Sequence, residues 1–402
     1  MTLESFASIL FWPATAANAV MLLGTAGNVF SAPRLEGRSG VPGASALPGR
    51  PKVSLLIPAR DEETNLAVLL PLLKGIDYPH LEILILDDQS SDGTARLAAS
   101  GPARLIQGSP PPEGWLGKNW ACSQLAGHAR GDILIFCDAD VRIGPGAVAA
   151  TVAMMESRGL DALTCLPRQI LGTWSEKAVI PILLFMPLLG FLPLALVSRL
   201  SHPALSLGCG QWFAFRRNAY VRLGGHAPVR REIVEDMVLG RLVKQAGMKL
   251  GALISTRHLA TRMYGDFPSL WRGFGKNLAF LTGTGWLKPA CLSAGFLLIH
   301  VLPWSLSLAG FTYWLLPLGL WMGSRLLAAA AFREPPAGWL WSAAGTLLIP
   351  AIAARSWWGY RRRSVRWKGR RLDAAFGTAA GYGTGSGPAM ARSAGKIAEG
   401  KL

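Results

Sequence analysis

Residues 3–30, 178–198 and 290–356 are dominated by apolar side chains, whereas 51–165 reads like the sequence of a soluble domain. One aqueous globule does not accommodate that contrast. A membrane-crossing helix needs about 20 apolar residues, and each of the three stretches is that long. Charged residues make up 16% of the chain, against about 25% in soluble proteins, which points the same way. The 402 residues leave room for one domain of about 200 to 250 residues beside the membrane segments.

Boundaries follow from composition. Residues 1–30 read as an N-terminal transmembrane anchor: Leu3–Phe30 carries one early charge, Glu4, with no basic region before it and no evident cleavage site. Arg34, Arg38, Arg50 and Lys52 come next, so the positive-inside rule puts the N-terminus outside and the following domain in the cytoplasm. Residues 31–51 are a Gly, Pro, Ser and Ala linker. Pro181, Pro187 and Pro193 disfavour a straight helix over 178–198, which is expected to be interfacial or re-entrant. Residues 261–289 form an amphipathic membrane-proximal segment, 290–356 a C-terminal membrane block, and 357–402 a basic and then disordered tail. Simple counting finds three apolar segments in that block, yet a basic, cytoplasmic tail requires two true crossings.

The formal net charge of +17 is concentrated in Arg361, Arg362, Arg363, Arg366, Lys368, Arg370 and Arg371. A hydrophobic stretch runs directly into this cluster and no nucleic-acid motif accompanies it. The expected partner is therefore the lipid bilayer and not nucleic acid. Cys122, Cys137, Cys165, Cys209 and Cys291 show neither CxxC pairing nor metal spacing, so they read as reduced thiols.

Between residues 53 and 159 short strands alternate with helices. Strands are expected at Val53–Ile57, closed by Pro58, and at Leu81–Leu86, Arg104–Gln107 and Ile133–Cys137. Helices are expected at Asn65–Lys74, Asp92–Ala99, Lys118–Ala129 and Pro145–Arg158. That alternation implies an α/β domain with a mostly parallel sheet, whose ligands bind at the carboxyl ends of the strands. Two of those ends carry clustered acids. Leu81–Leu86 runs into Asp87-Asp88-Gln89-Ser90-Ser91-Asp92-Gly93-Thr94, and Ile133–Cys137 into Asp138-Ala139-Asp140. One group can read a ribose or uracil by hydrogen bonds, and the other can hold Mg²⁺ or Mn²⁺ with substrate phosphates. Pro58, Arg60 and Glu62 end the first strand and join the same nucleotide site. Lys118 opens a helix, where its charge opposes the dipole, so a diphosphate is its natural partner. Glu235 and Asp236 lie at the start of a helix expected over Glu232–Ala246, where an ionised carboxylate suits a general base.

In order, PARDEETN, DDQSSDGT, GKNWA, FCDAD and VEDMVLG resemble the GT-A domain of family 2 glycosyltransferases over residues 52–260. The resemblance implies a GT-A fold, a Rossmann-like mixed and mostly parallel sheet, flanked here by transmembrane helices. It implies nucleotide binding by Asp88 with Asp87, a metal ligand at Asp140 beside Asp138, and Asp236 as base. Met263-Tyr264, Leu270 to Asn277 and Trp367-Lys368-Gly369-Arg370 are similar to the membrane-bound subgroup associated with carotenoid-acid (diaponeurosporenoate) and hopanoid biosynthesis. The QxxRW pattern of processive synthases is absent as such, and Trp271-Arg272 take its region in reversed order. On the acceptor side the candidates are Glu235, Gln211, Trp212, Trp271 and Arg272.

The function these features imply is a metal-dependent, inverting hexosyl transfer from a nucleotide-sugar, UDP-sugar favoured, to a lipid-like acceptor. The acceptor would be a carotenoid, hopanoid or glycolipid. The expected location is the bacterial inner (plasma) membrane, multi-pass, with the catalytic domain in the cytoplasm. A polyprenyl-phosphate sugar or polysaccharide synthase shares the fold. A nucleotidyltransferase shares the acids but opens on a Gly-rich phosphate loop, which Pro58-Ala59-Arg60 is not. A non-catalytic scaffold would tolerate loss of Asp140 or Asp236, and both are present.

Overall fold

The structure is a computed structural model and describes residues 2–36, 50–282 and 287–372. Most of the expected linker, and the tail from Phe376, lie outside the described residues. Helix α1 (Leu3–Ser31) leads to the α/β domain. That domain runs β1 (Val53–Ala59), α2 (Glu63–Leu73), β2 (Leu81–Asp87), α3 (Thr94–Ser100), β3 (Arg104–Gln107), α4 (Gly117–His128), β4 (Ile133–Phe136), β5 (Val141–Ile143), α5 (Ala147–Arg158) and β6 (Ala162–Gln169). An apolar excursion follows: α6 (Trp174–Ile180), a π-helical stretch Pro181–Phe185, α7 (Met186–Phe191) and α8 (Leu194–Val197). The domain closes with β7 (Phe213–Arg216), α9 (Arg217–Arg222), α10 (Glu235–Gln245) and β8 (Leu250–Thr261). Then come α11 (Phe267–Thr282), α12 (Leu287–Phe296), α13 (Leu302–Leu308), α14 (Leu315–Phe332), α15 (Ser342–Arg361) and a short hairpin, β9 (Arg366–Trp367) and β10 (Arg370–Arg371).

The eight strands form one mixed sheet in the order β3-β2-β1-β4-β7-β6-β8-β5, the GT-A arrangement expected of the chain. β3, β2, β1 and β4 are parallel neighbours. β1 and β4 are buried along almost their whole length, so they read as unbroken apolar runs instead of alternating patterns. Antiparallel β7 then joins β4 to β6.

Pro58 was expected to end β1, but the strand continues to Ala59. The reason is pairing. β1 bonds β4 only as far as Leu56, whose carbonyl accepts the Cys137 N–H at 2.9 Å, and β2 stays paired through Ala59. Pro58 faces the β4 side after β4 has stopped, so its missing N–H costs no ladder bond.

Four described helical segments are long and apolar enough to cross a membrane: Leu3–Ser31, Trp174–Phe191, Ala290–Leu308 and Thr312–Phe332. The first packs closely on the second. A Cβ on Gly24 would lie 2.0 Å from the Gly190 carbonyl oxygen, so only glycine permits this approach. The Trp174–Phe191 segment is not straight. It breaks after Phe191, and Asn28 of α1 satisfies the freed backbone, donating to Leu189 O (2.7 Å) and Leu192 O (2.8 Å) and accepting from Leu194 N (2.9 Å). Its most apolar window is 61% buried within the protein, against 17% for Ala290–Leu308, so protein covers most of it. Helix α15 is not among the four and packs against α6 and α11.

Candidate active site

Because β2, β1 and β4 are adjacent and parallel, their carboxyl ends open into one cleft. Pro58 to Glu62, Asp87-Asp88 and Asp138 to Asp140 therefore meet, as the strand-end acids implied. Two of these loops are laced together by acids. Asp61 accepts from Ser91 N at 2.7 Å, and Asp92 accepts from Glu63 N at 3.1 Å. Asp61 and Gln89 hold positive φ angles of 48° and 59°, a cost that such lacing sustains at a binding loop.

Asp87 and Asp88 are both buried. Burial raises the proton affinity of Asp88, and the ion pair with Arg370 opposes that rise. The Arg370 Nη1–Asp88 Oδ2 distance is 2.6 Å, and Arg370 Nη2 donates to Gln89 Oε1 at 2.9 Å. Arg60 donates to the backbone oxygens of Asp88 (2.6 Å) and Gln89 (3.2 Å). Lys368 pairs with Glu62. The hairpin β9–β10, downstream of all four membrane candidates, thus lies across the ends of β1 and β2. Lys368 and Arg370 were read from sequence as lipid-facing charges, and here they face acids.

Lys118, at the start of α4, bridges Asp138 Oδ1 (2.8 Å) and Glu235 Oε1 (3.0 Å). Removal from water works against its charge, but these two carboxylates hold its proton well above the ordinary lysine value. Asp140 differs. Its Oδ1 is buried without a hydrogen-bond partner, and burial, Asp138 and Glu62 together push its carboxyl well above the usual range. A divalent cation would relieve both conditions, so the residues fit one. Among the described residues no group of three or more His, Cys, Asp or Glu side chains could hold a metal unaided. Substrate phosphates would have to complete the coordination, as they commonly do for Mg²⁺.

Asp236 enters from the opposite wall, in the first turn of α10. Its Oδ2 accepts from Gly210 N at 2.7 Å and its Oδ1 from Met237 N at 2.8 Å. Burial, then Glu235, raise its pKa to about 6. Pro58, Lys118, Asp138, Gly210, Glu235 and Asp236 line one common pocket.

The acceptor-side candidates divide. Glu235 lines the pocket. Gln211 is buried beside it, bonded to Gln169 at 2.9 Å. Trp212 is fully buried and donates to Thr151 at 3.0 Å, so it belongs to the core and not to the cleft. Trp271 packs on Phe267 and under Arg355, and Arg272 points to solvent. The tryptophan that reaches the cleft is Trp367, over whose ring Lys276 Nζ sits at 4.1 Å. Arg363-Ser364-Val365-Arg366-Trp367 has the QxxRW spacing with Arg in the first position, and that is the signal in the sequence for the hairpin tryptophan.

The family model described as glycosyl transferase family 21 matches residues 18–380. The motif resemblance had suggested family 2. The 4,4'-diaponeurosporenoate glycosyltransferase of Staphylococcus haemolyticus (strain JCSC1435) is 27% identical over 234 residues, 56% of this chain and 61% of that protein. Its counterpart in Staphylococcus aureus (strain USA300) is 27% identical over 247 residues, 60% and 64% of the two chains. The chain thus spans less than two thirds of the length of these curated relatives. Among solved structures, mannosyltransferase PcManGT from Pyrobaculum calidifontis, in complex with GDP-Man and Mn²⁺, is similar over 87% of this chain and 98% of its own, with 18% identity and a TM-score of 0.49. S. aureus TarS 1-349 in complex with UDP-GlcNAc covers 77% of this chain and 92% of its own, with 14% identity and a TM-score of 0.38.

Proposed function

This chain belongs to glycosyl transferase family 21, and on that premise we propose that it transfers a hexose from a nucleotide-sugar, a UDP-sugar in preference, to a lipid-like acceptor at the cytoplasmic face of a bacterial inner membrane. Inversion by single displacement is the mechanism. Asp88, with Asp87, binds the nucleoside. Asp140, with Asp138 beside it, would hold Mg²⁺ or Mn²⁺, which would supply positive charge at the diphosphate. Asp236 takes the proton of an acceptor hydroxyl, whose oxygen attacks the anomeric carbon from the side opposite the leaving group.

The observation that carries this reading is the pairing pattern of the cleft. Glu62, Asp88, Asp138 and Glu235 each have a cation partner, whereas Asp87, Asp140 and Asp236 form no ion pair among the described residues. Asp87 accepts from the Ser90 N–H of its own loop at 3.3 Å, and a metal ligand and a base both need a carboxylate without a cation partner, as Asp140 and Asp236 are. The pKa of about 6 at Asp236 also suits a base, since its proton affinity lies near working pH.

The name these relatives carry favours a second acceptor chemistry. A diaponeurosporenoate is a carboxylate, already ionised at neutral pH, and its attack would need no base. Both chemistries are tested by supplying radiolabelled UDP- and GDP-sugars to membranes containing the protein and identifying the labelled lipid by mass spectrometry. A glycosidic product supports the hydroxyl acceptor and a glycosyl ester the carboxylate. Lipid that stays unlabelled with every donor would overturn the assignment.

A further inference from the structure

The sequence assigns the diphosphate to Lys118, but the cleft gives that ammonium two carboxylates of its own, Asp138 and Glu235. Lys368 pairs with Glu62, Arg370 with Asp88, and Arg60 is bonded to backbone carbonyls. A further cation stands near Lys118 and Lys368. Lys276, on the cleft face of α11, has no carboxylate within ion-pair distance among the described residues. Its contact is the face of Trp367, 4.1 Å from the ring centroid, supplied by the hairpin β9–β10. An aromatic face orients an ammonium without neutralising it. Burial, then the neighbouring charge of Lys118, lower the pKa of Lys276 to about 8, and Lys368 acts in the same direction. Glu235 and Asp138 act the other way, but both are already paired with Lys118, so the half-buried ammonium keeps its charge open to an incoming anion.

Resting on the glycosyl-transfer reading above, we propose that Lys276 binds the diphosphate of the donor and stabilises it as it departs, with Trp367 as its positioning residue. Lys118 then has a structural task, holding Asp138 and Glu235 in place. In the transfer step the bond between the anomeric carbon and the diphosphate oxygen breaks, and the electron pair stays on that oxygen. Lys276 donates a hydrogen bond there and keeps its proton, so no further acid is required. The site is completed from two distant parts of the chain, α11 before the C-terminal membrane helices and the hairpin after them.

Full-length protein in lipid nanodiscs, titrated calorimetrically with UDP, GDP, uridine and guanosine in the presence of Mn²⁺, tests this. Lys276→Met should weaken binding of the preferred nucleoside diphosphate about 10- to 100-fold, the range for losing a charged hydrogen bond. Binding of the parent nucleoside should change less than twofold. Lys276→Arg should recover most of the loss, and Trp367→Leu should weaken the diphosphate selectively by a few fold. Wild-type diphosphate affinity in Lys276→Met, or equal losses for nucleoside and diphosphate, would overturn the assignment while leaving the glycosyltransferase reading intact. Should Lys276→Met fail to fold, the Arg and Leu variants decide, and an unchanged Trp367→Leu variant together with diphosphate binding lost in Lys276→Arg counts against it. A wild-type protein that binds neither UDP nor GDP would sink both readings.

Discussion

At the scale of single residues the cleft is organised by which carboxylates are neutralised. Asp236 is held by two backbone N–H groups and no cation, so Asp236→Asn removes the proton acceptor together with one of those two hydrogen bonds, since the amide nitrogen cannot accept. Asp236→Asn should lower kcat by about 10²- to 10⁴-fold, the usual worth of general base catalysis, with nucleotide affinity nearly unchanged. Collapse of nucleotide affinity with kcat preserved would move the role elsewhere. The raised pKa gives a second measurement. A base must be ionised, so kcat/KM should fall about tenfold per pH unit below about 6 and be flat just above it. No acid limb in the wild type would favour the carboxylate acceptor. Gly117 offers a third test. A Cβ there would lie 2.4 Å from Arg370 Nη1 and 2.9 Å from Asp88 Oδ2. Gly117→Ala should therefore displace the tail arginine from the nucleotide carboxylate. The expected outcome is a change in UDP affinity of at least severalfold, with the melting temperature held within a few degrees, readable by titration and thermal shift.

Those acids were legible in the sequence because each ends an apolar strand or opens a helix, where local pattern fixes position. Lys276, Lys368 and Arg370 were not, because their contacts join residues separated by up to 308 positions and no local period encodes such a contact. Trp212 misled for a related reason. It lies two residues after Gly210, which donates to Asp236, but the turn that leads into β7 sends its side chain into the core, where it donates to Thr151.

At the scale of elements the strand-helix alternation was readable to within about two residues from β1 to α5, where buried parallel strands are unbroken apolar runs, whereas β5, β6, β7 and β8 were not expected. The apolar stretch 178–198 was harder. Its prolines announce a break, but the groups that satisfy that break belong to α1. Asn28 serves three backbone atoms there, and no sequence pattern in α1 marks it for that task. Asn28→Leu is nearly isosteric but cannot bond. It should lower stability by about 1–3 kcal/mol, the cost of leaving buried backbone groups unsatisfied. The readout is a lower thermal midpoint in detergent, with α/β domain secondary structure retained by circular dichroism below the transition. An unchanged midpoint would mean that water or lipid headgroups reach the break, and the segment would then lie nearer the membrane surface than its burial indicates.

At the scale of the whole molecule, the hairpin constrains topology. Hydropathy counts three segments after the α/β domain, an odd number, while the basic tail asks for an even one. In the structure Ala290–Leu308 and Thr312–Phe332 are the candidates for crossing after the domain, and α15 instead lies on α6 and α11. The ion pairs Arg370–Asp88 and Lys368–Glu62 join the tail to the ends of β2 and β1, so tail and sheet share one side of any membrane that the intervening helices cross. Arg34 adds a constraint from the other end. It lies three residues after α1, and its isolated bridge to Ile254 of β8 ties the C-terminal end of that helix to the sheet. The positive-inside rule would put that shared side in the cytoplasm, as proposed, and the turn between α13 and α14 on the far side. In a cysteine-free background, an impermeant maleimide applied to intact cells should label Ala309→Cys, in that exposed turn, and leave Ser364→Cys unlabelled until the cells are opened. Labelling of Ser364→Cys in intact cells would put the tail outside. The contacts of Lys368 and Arg370 with the cleft would then be impossible in a cytoplasmic enzyme, and Trp367 would be lost as the support for Lys276.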